Sequence, residues 1–332
     1  MIVIGAKDDD PHARKVAQIL EAKHGREVFV FDTSTFPGSV SLAAQYGPGT
    51  VNGASQVSLI TATGRRMALE DVTAFWWRRP QAMEIDARIT DPTARSFAFQ
   101  ECVSALYGVL ECCDVLWVNN IQNDTAAEYK PFQLKVAAEL EFEVPATLIT
   151  NLPEELVAFW QEHRGSVIYK AFNQRGTLWR PTRLLTEQDF AMLDNVRYAP
   201  VIFQAMVPGI RDVRITFIGG RVFATEFDIE NLSEVDYRMR MTELPCRPHA
   251  LPDAMEEKVQ RLMQYLALEY GGIDFRLTSD GRYVFFEVNT AGEFMFLEDR
   301  TGQPLAEAMA AHLALGRPAH PRRRAAPQAP GG

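Results

Sequence analysis

The stretch "IDFRLTSDGRYVFFEVN", residues 273–289, decides how the chain reads. Two alternating apolar runs flank Asp280-Gly281, a dipeptide that favours a tight hairpin because glycine tolerates the positive φ such turns need. A two-residue turn pairs Ser279 with Arg282, and counting outward sets Asp274 opposite Glu287. Strand alternation puts Tyr283, Phe285, Glu287 and Asn289 on one face, with Val284, Phe286 and Val288 on the other. Carboxylates directly opposite each other repel, and burying them without a partner is costly. With Asn289 on the same face, the pattern predicts oxygen ligands for a hard cation. Magnesium suits the set, because it takes one or two protein carboxylates and completes its shell with substrate phosphates. The plain alternative is an edge hairpin with a wet polar face, against which the aromatic Tyr283 and Phe285 on that face count.

Outward from the hairpin, the first 120 or so residues alternate strand and helix. "MIVIGA" reads as a buried strand, and "DDDPHARKVAQILEAKHG" as a helix capped by Asp10, opened by Pro11 and stopped by Gly25. "EVFVFD", "VTAFWWRRP" and "DVLWVNN" read as strands, "QVSLITATGRRMAL" as a hairpin, and 92–113 as a long helix. A second unit starts near 121 with the helix "TAAEYKPFQLKVAAELEF". The strands "PATLIT", "SVIYKAF" and "PVIFQAMV" follow, with helices "LPEELVAFWQEH" and "TEQDFAMLDNV" between them. The hairpin "RDVRITFIGGRVFATEFD", a polar excursion at 231–253, an amphipathic helix and the opening hairpin come next, and a last helix closes the chain. The predicted class is α/β followed by α+β. The predicted domains are 1–120, 121–205, 206–316 and a disordered basic tail at 317–332.

Composition bounds the function. The chain of 332 residues is 47% hydrophobic and 23% charged, an ordinary globular mixture. Its net charge is −9, and the last sixteen residues carry four arginines and no acid, so the rest stands at −13. Such a body is a poor partner for nucleic acid. No apolar run reaches membrane-spanning length, and "MIVIGAKDDD" does not continue as a signal peptide. Cys102, Cys112, Cys113 and Cys246 form no C-x-x-C pair and read as reduced core thiols, which predicts a cytoplasmic protein. Phosphate-loop, H-E-x-x-H and G-x-S-x-G motifs are missing. The histidines (12, 24, 163, 249, 312 and 320) are scattered.

"GGIDFRLTSDGRYVFFEVNTAGEF" resembles the metal hairpin of ATP-grasp ligases. The wider pattern is similar to the microviridin-type (graspetide) peptide ligases, through "FWWRRP", "PTRLLT", "IFQAMV", "RDVRITFIGGRVFATEFD", "VDYR" and "EVNTAGEFMFLEDRTG". The resemblance implies an ATP-grasp fold, with an N-terminal α/β pre-grasp domain and two lobes that clasp the nucleotide. It implies ATP and Mg²⁺, the metal held by Asp274, Glu287 and Asn289. Lys130 and Lys170 match the two phosphate lysines, and Lys170 has independent support, since a lysine ending an apolar strand must snorkel or meet an anion. Gln204, Ala205, Met206 and Val207 match the linker that reads adenine, through the backbone of Ala205 and Val207. Arg214 alternates with Val213 and Ile215, and in the family it faces the transferred phosphate, a task suited to a planar bidentate donor. Asp212 is open between ribose hydroxyls and a pair with Arg214. Arg183 and Arg238 are candidates for gripping the carboxylate being activated.

Two departures stand out. Thr290 occupies a position where relatives usually carry proline, and the lid "AFNQRGTLW" has a single glycine. The family's substrate is a ribosomal precursor peptide, leader plus core, whose Glu or Asp side chains are joined to Ser/Thr hydroxyls or Lys amines. The excursion at 231–253 is the expected leader dock. Neither nucleic acid nor membrane is an expected partner, and a homodimer is an assembly the resemblance allows. Rival readings are a ligase adding amino acids or small amines to a peptide terminus, and a nucleotide-binding regulator without catalysis.

Overall fold

The computed structural model describes residues 1–47, 56–172, 180–230, 232 and 235–316. The basic tail and most of the lid segment lie outside these residues. The chain divides into two compact units, Met1–Ile121 with Ala306–Gly332, and Gln122–Leu305.

The first unit opens with β1 (Ile2–Gly5), α1 (Pro11–His24) and β2 (Val28–Phe31), followed by β3 (Val40–Gln45), β4 (Gln56–Thr61) and β5 (Arg66–Ala68). It continues through β6 (Ala74–Trp76), α2 (Pro92–Leu110) and β7 (Leu116–Val118). The four-stranded sheet runs β2-β1-β6-β7 with parallel pairing throughout. Its strands are apolar on both faces, as a parallel sheet with both faces covered requires. Phe75 stacks on Trp117 at 4.5 Å between ring centroids, in a core that also takes Leu106 and Leu110 from α2. The α1 helix starts at Asp10, whose side chain accepts from the Ala13 N–H at 2.8 Å. The β4–β5 hairpin matches the sequence reading, and β3 extends it to three antiparallel strands. The helix read over 92–113 ends at Leu110, and of the adjacent thiols Cys113 is buried whereas Cys112 is exposed, so Cys112 is not a core thiol.

The second unit contains α3 (Ile121–Ala127), α4 (Lys130–Glu139), β8 (Thr147–Thr150), α5 (Pro153–Glu162), β9 (Val167–Lys170), β10 (Arg183–Leu184) and β11 (Val201–Ala205). Then come β12 (Arg211–Ile218), β13 (Arg221–Asp228), β14 (Cys246–Pro248), α6 (Asp253–Tyr265), β15 (Tyr270–Leu277), β16 (Tyr283–Asn289) and α7 (Met295–Thr301). The last helix, α8 (Leu305–Leu315), belongs almost entirely to the first unit, where Lys23 donates to Glu307 at 2.6 Å. One sheet of the second unit runs β10-β9-β11-β8 and the other β14-β13-β12-β15-β16, and every pair is antiparallel. The helix expected from 125 to 142 is two helices, because Pro131 in the first turn of α4 has no N–H to carry a helix through from α3. The expected helix at 186–196 is a 3₁₀ segment, Glu187–Tyr198, kinked at Met192.

The deciding hairpin forms with a different count. Thr278 N–H donates to Arg282 and Gly281 N–H to Thr278, both at 3.0 Å, which makes a three-residue loop with Gly281 at φ 84°. Leu277 therefore faces Tyr283, and Phe275 faces Phe285. A bulge between Asp274 and Phe275 then inserts Phe286, after which Asp274 faces Glu287 and Gly272 faces Asn289. The carboxylates oppose each other as expected, but the face assignment is corrected. Phe285 is core and Tyr283 packs against it, together with Phe142, Phe275 and Val288. Phe286 instead lines the cleft beside Glu287.

Candidate active site

A cleft in the second unit encloses about 650 Å³, part of it open to solvent, between the β8–β11 sheet and the β12–β16 sheet. Lys170, Gln204 to Val207, Asp212, Asp236 to Arg238, Asp274, Arg276, Phe286 and Glu287 all line it.

Each charged group arrives by a local rule. Val213 and Ile215 point into the core, so alternation aims Asp212, Arg214 and Thr216 at the other face of β12. Arg214 is directly across from Asp274 in the β12–β15 register, and Asp212 from Arg276. Lys170 is the last residue of β9 and only 8% exposed. Lys130 begins α4, and one turn later the buried Gln133 clasps β16: its Nε2 donates to the Val288 carbonyl at 2.8 Å and its Oε1 accepts from the Val288 N–H at 2.8 Å. That clasp fixes Lys130 beside Glu287.

Glu287 collects three cations. Lys130 Nζ is bonded to its Oε2, Arg238 Nη1 is 3.5 Å from its Oε1, and Lys170 adds its charge. Burial alone would raise its pKa, but Lys130, Lys170 and Arg238 outweigh burial and hold the carboxyl well below the usual range. Lys170 responds oppositely: burial pulls its ammonium down to about 8, with Glu287 working against the drop. Asp274 accepts from Arg214 Nη1 at 3.1 and 3.2 Å and from the Tyr237 hydroxyl at 3.2 Å. Burial raises the Asp274 carboxyl in spite of Arg214, and burial with Asp274 raises the Tyr237 hydroxyl well above its usual range.

Two buried acids serve as holders. Asp236 takes Arg238 Nε and Nη2 at 2.7 Å each and the Thr182 N–H at 3.0 Å, leaving Arg238 Nη1 for Glu287. Asp212 accepts from Arg276 Nε at 2.5 Å and Nη2 at 3.1 Å, and Arg276 Nη1 donates to the Val207 carbonyl at 2.9 Å.

The site fits a polyanion with a hard metal. Arg214 Nε is buried and donates to nothing, so an anionic oxygen would complete it. Lys130, Lys170, Arg214, Arg238 and Arg276 outnumber Asp212, Asp236, Asp274 and Glu287 by one charge. Among the described residues no cluster of three or more His, Cys, Asp or Glu forms a ready metal cage. Magnesium needs none, since one or two carboxylates and phosphate oxygens suffice. Asp274 and Glu287 could supply those carboxylates, while the Asn289 oxygen accepts from the Ala291 N–H at 3.2 Å.

Residues 1–125 match the family of the MvdD pre-ATP-grasp domain. The macrocyclase MdnC of Microcystis aeruginosa MRC, solved with the precursor peptide MdnA, is 27% identical over 95% of this chain and 99% of that one, with a TM-score of 0.82. A RiPP-associated ATP-grasp ligase of Chryseobacterium gregarium, in complex with ADP and a leader and core peptide, is 26% identical over 96% and 97%, with a TM-score of 0.84. The chain is an ATP-grasp ligase similar over nearly its whole length to the graspetide maturases. The ATP-grasp ligase PsnB, solved with its minimal precursor, Mg and ADP, is 25% identical over 95% and 96%, with a TM-score of 0.75. No curated protein sequence matches.

In this ligase the expected residues separate into three groups. Lys170, Arg238, Asp274 and Glu287 line one part of the cleft, with Lys130 bonded to Glu287 and Arg214 to Asp274 behind it. Gln204, Ala205, Met206, Val207 and Asp212 line the other, with Asp212 paired to Arg276 and not to Arg214. Ala205 N–H is taken by the Ala146 carbonyl at 2.9 Å. Arg183 does not line the cleft: it is largely exposed, lies over the Tyr169 ring at 5.5 Å and is 3.8 Å from Asp189.

The sequence reading missed Asp236, Tyr237, Arg276, Phe286 and Gln133. Arg276 had a legible signal, since it alternates with Asp274 on β15 and so shares its face. Gln133 had another, a polar residue on the apolar side of α4. The excursion at 231–253, the expected leader dock, also reaches the cleft. Its residues 236–238 belong to the cleft, β14 extends the sheet, and Arg300 Nη1 on α7 binds the Met241 carbonyl at 2.6 Å. It is part of the site wall, although residues 231, 233 and 234 lie outside the described set.

Proposed function

We propose that the protein is an ATP- and Mg²⁺-dependent macrocyclase acting on a ribosomal precursor peptide with leader and core. A Glu or Asp side chain of the core attacks the γ-phosphorus, ADP departs, and an acyl phosphate forms. A Ser/Thr hydroxyl or Lys amine then attacks the acyl carbon, phosphate leaves, and the nucleophile's proton is released to solvent. The observation that carries this reading is the opposed Asp274–Glu287 pair ringed by Lys130, Lys170, Arg214 and Arg238.

Magnesium, held by Asp274 and Glu287 with Asn289 turning in to join them, would neutralise the β- and γ-phosphates. Lys130 would exchange Glu287 for phosphate oxygens, and the buried Lys170 would meet them beside it. Arg214, with Nε unengaged, would take the transferred phosphoryl group. Arg238, presented by Asp236, would hold the acidic side chain. Adenine would lie against Met206 and Phe286, reading the Ala205 carbonyl and the Val207 N–H, with Gln204 behind it. Catalysis then rests on positioning and charge neutralisation, without a covalent enzyme intermediate. Free thiols suit a reducing, cytoplasmic setting.

The test is mass spectrometry of the precursor peptide encoded beside the gene, after incubation with protein, ATP and Mg²⁺. Loss of one water per linkage supports cyclisation. A gain of amino-acid mass means a chain-extending ligase, and an unchanged peptide with ADP release means another substrate.

A further inference from the structure

Gly271 and Gly272 are adjacent in β15, and alternation turns them to opposite faces. A Cβ on Gly271 would meet Met263 Cε and Val288 Cγ1, each at 3.0 Å, in the hydrophobic core. A Cβ on Gly272 would come within 2.7 Å of Arg214 Nη2, 3.2 Å of Cζ and 3.3 Å of Nε. From the loop after β16, a Cβ on Gly292 would come within 2.8 Å of the same Nη2. The two glycines also touch each other's surroundings, since that Cβ would be 3.5 Å from the Gly272 Cα. Neither Gly272 nor Gly292 has a positive φ, so alanine suits either backbone and the missing side chain has another cause. The loop carrying Gly292 is tied down by the buried Tyr270, whose hydroxyl donates to the Gly292 carbonyl at 2.6 Å. Arg214 itself is 5% exposed and braced by Asp274.

We infer that Gly272 and Gly292 form a slot without side chains that fixes the plane and depth of the Arg214 guanidinium, and so act as positioning residues for phosphoryl transfer. This rests on the reading that Arg214 serves the transferred phosphoryl group. The slot leaves Nη1 on Asp274, and Nε inside it has no partner. A methyl at either glycine displaces the far end of one side chain and leaves the backbone in place. The fold therefore absorbs it, and the cost falls on the geometry of Arg214. Misplacing a catalytic group by about 1 Å is enough to cost about a hundredfold in rate.

The experiment measures peptide-dependent ADP release and thermal unfolding for Gly272→Ala, Gly292→Ala, Gly271→Ala, Arg214→Lys and Gly272→Ala/Arg214→Lys. Gly272→Ala and Gly292→Ala are expected to lower kcat about tenfold to a hundredfold, with the KM for ATP within about twofold and Tm nearly unchanged. Gly271→Ala should do the opposite, lowering Tm through crowding against Met263 and Val288 while keeping kcat. In the Arg214→Lys background, Gly272→Ala should cost less than about twofold, because the Nη2 it collides with is gone. Full activity of both glycine variants, or the same fold-loss in both backgrounds, overturns the slot. Wild-type activity of Arg214→Lys overturns the phosphoryl reading itself, whatever the glycines do.

Discussion

The two ends of the cleft hold charge in different ways. Beside Val207, Asp212 and Arg276 are direct neighbours across β12 and β15, and Arg276 reaches on to the Val207 carbonyl. That pair is fixed by strand register, and Gly209 leaves room for it, since a Cβ there would lie 2.2 Å from Arg276 Cδ. At the other end, Glu287 on β16 is neutralised by Lys130 from α4, Lys170 from β9 and Arg238 from the 236–238 segment. Partners on one sheet move together and define shape. Partners gathered from three elements can part, so their charge is available to a ligand. On the proposed function the first pair is scaffold, and the second cluster is a ligand site filled by its own counter-charges.

Substitutions should separate these roles. The largest effect is expected at Glu287→Gln, which removes the acid that pairs with Lys130 and that the proposed function assigns to the metal. ADP release should drop about a thousandfold, on the scale of losing a preorganised charge-stabilising group, while the amide keeps an acceptor for Lys130 and the fold survives. Turnover near wild type would end the assignment of this end to metal and phosphate. Asp236→Asn comes next, because it leaves Arg238 without its two-pronged support. Peptide KM should rise about tenfold or more, as expected for a charged hydrogen bond lost, with ATP KM little changed. A rise in ATP KM alone would place Arg238 on the nucleotide instead.

The contrast between the ends also explains what the sequence could reveal. The opposition of Asp274 and Glu287 was legible, but by two compensating displacements. The turn is one residue longer than Asp280-Gly281 suggests, and the bulge at Phe286 restores the count. Nothing local announces that bulge. It forms where the outer edge of β16 meets chain distant in sequence: Phe285 N–H donates to the Glu143 carbonyl at 2.8 Å, and Val288 is held by Gln133. The Asp212 partner was ambiguous for a related reason, since choosing Arg276 over Arg214 needs the β12–β15 register. Strand alternation and helix caps come from near neighbours in the chain and read well. Holders such as Asp236 depend on Thr182, far away in sequence, and do not.

A milder prediction tests the scaffold end. Arg276→Met should leave Asp212 buried without its cation and free the Val207 carbonyl. The KM for ATP should rise somewhat more than tenfold, with kcat for bound substrate nearly kept and Tm reduced by the unpaired acid. Equal losses in kcat and kcat/KM would mean that Arg276 acts in the transition state and that the scaffold reading is wrong.

The smallest effect is a pH dependence. Burial sets the Lys170 ammonium at about 8, below its ordinary 10.5. Phosphate oxygens would stabilise the ammonium and raise that value, so nucleotide binding takes up a proton once pH exceeds about 8. The sign follows: affinity is flat below that point and falls as pH rises through it, by at most tenfold per unit. Mg–ATP should bind about fourfold more weakly at pH 8.5 than at pH 7 by titration calorimetry, with proton uptake visible as a dependence of the heat on buffer. Lys170→Met should bind more weakly at every pH and lose the slope, because the titrating group is gone. An unchanged slope in that variant would assign the proton to another group, and a flat wild-type profile would mean that Lys170 stays charged throughout.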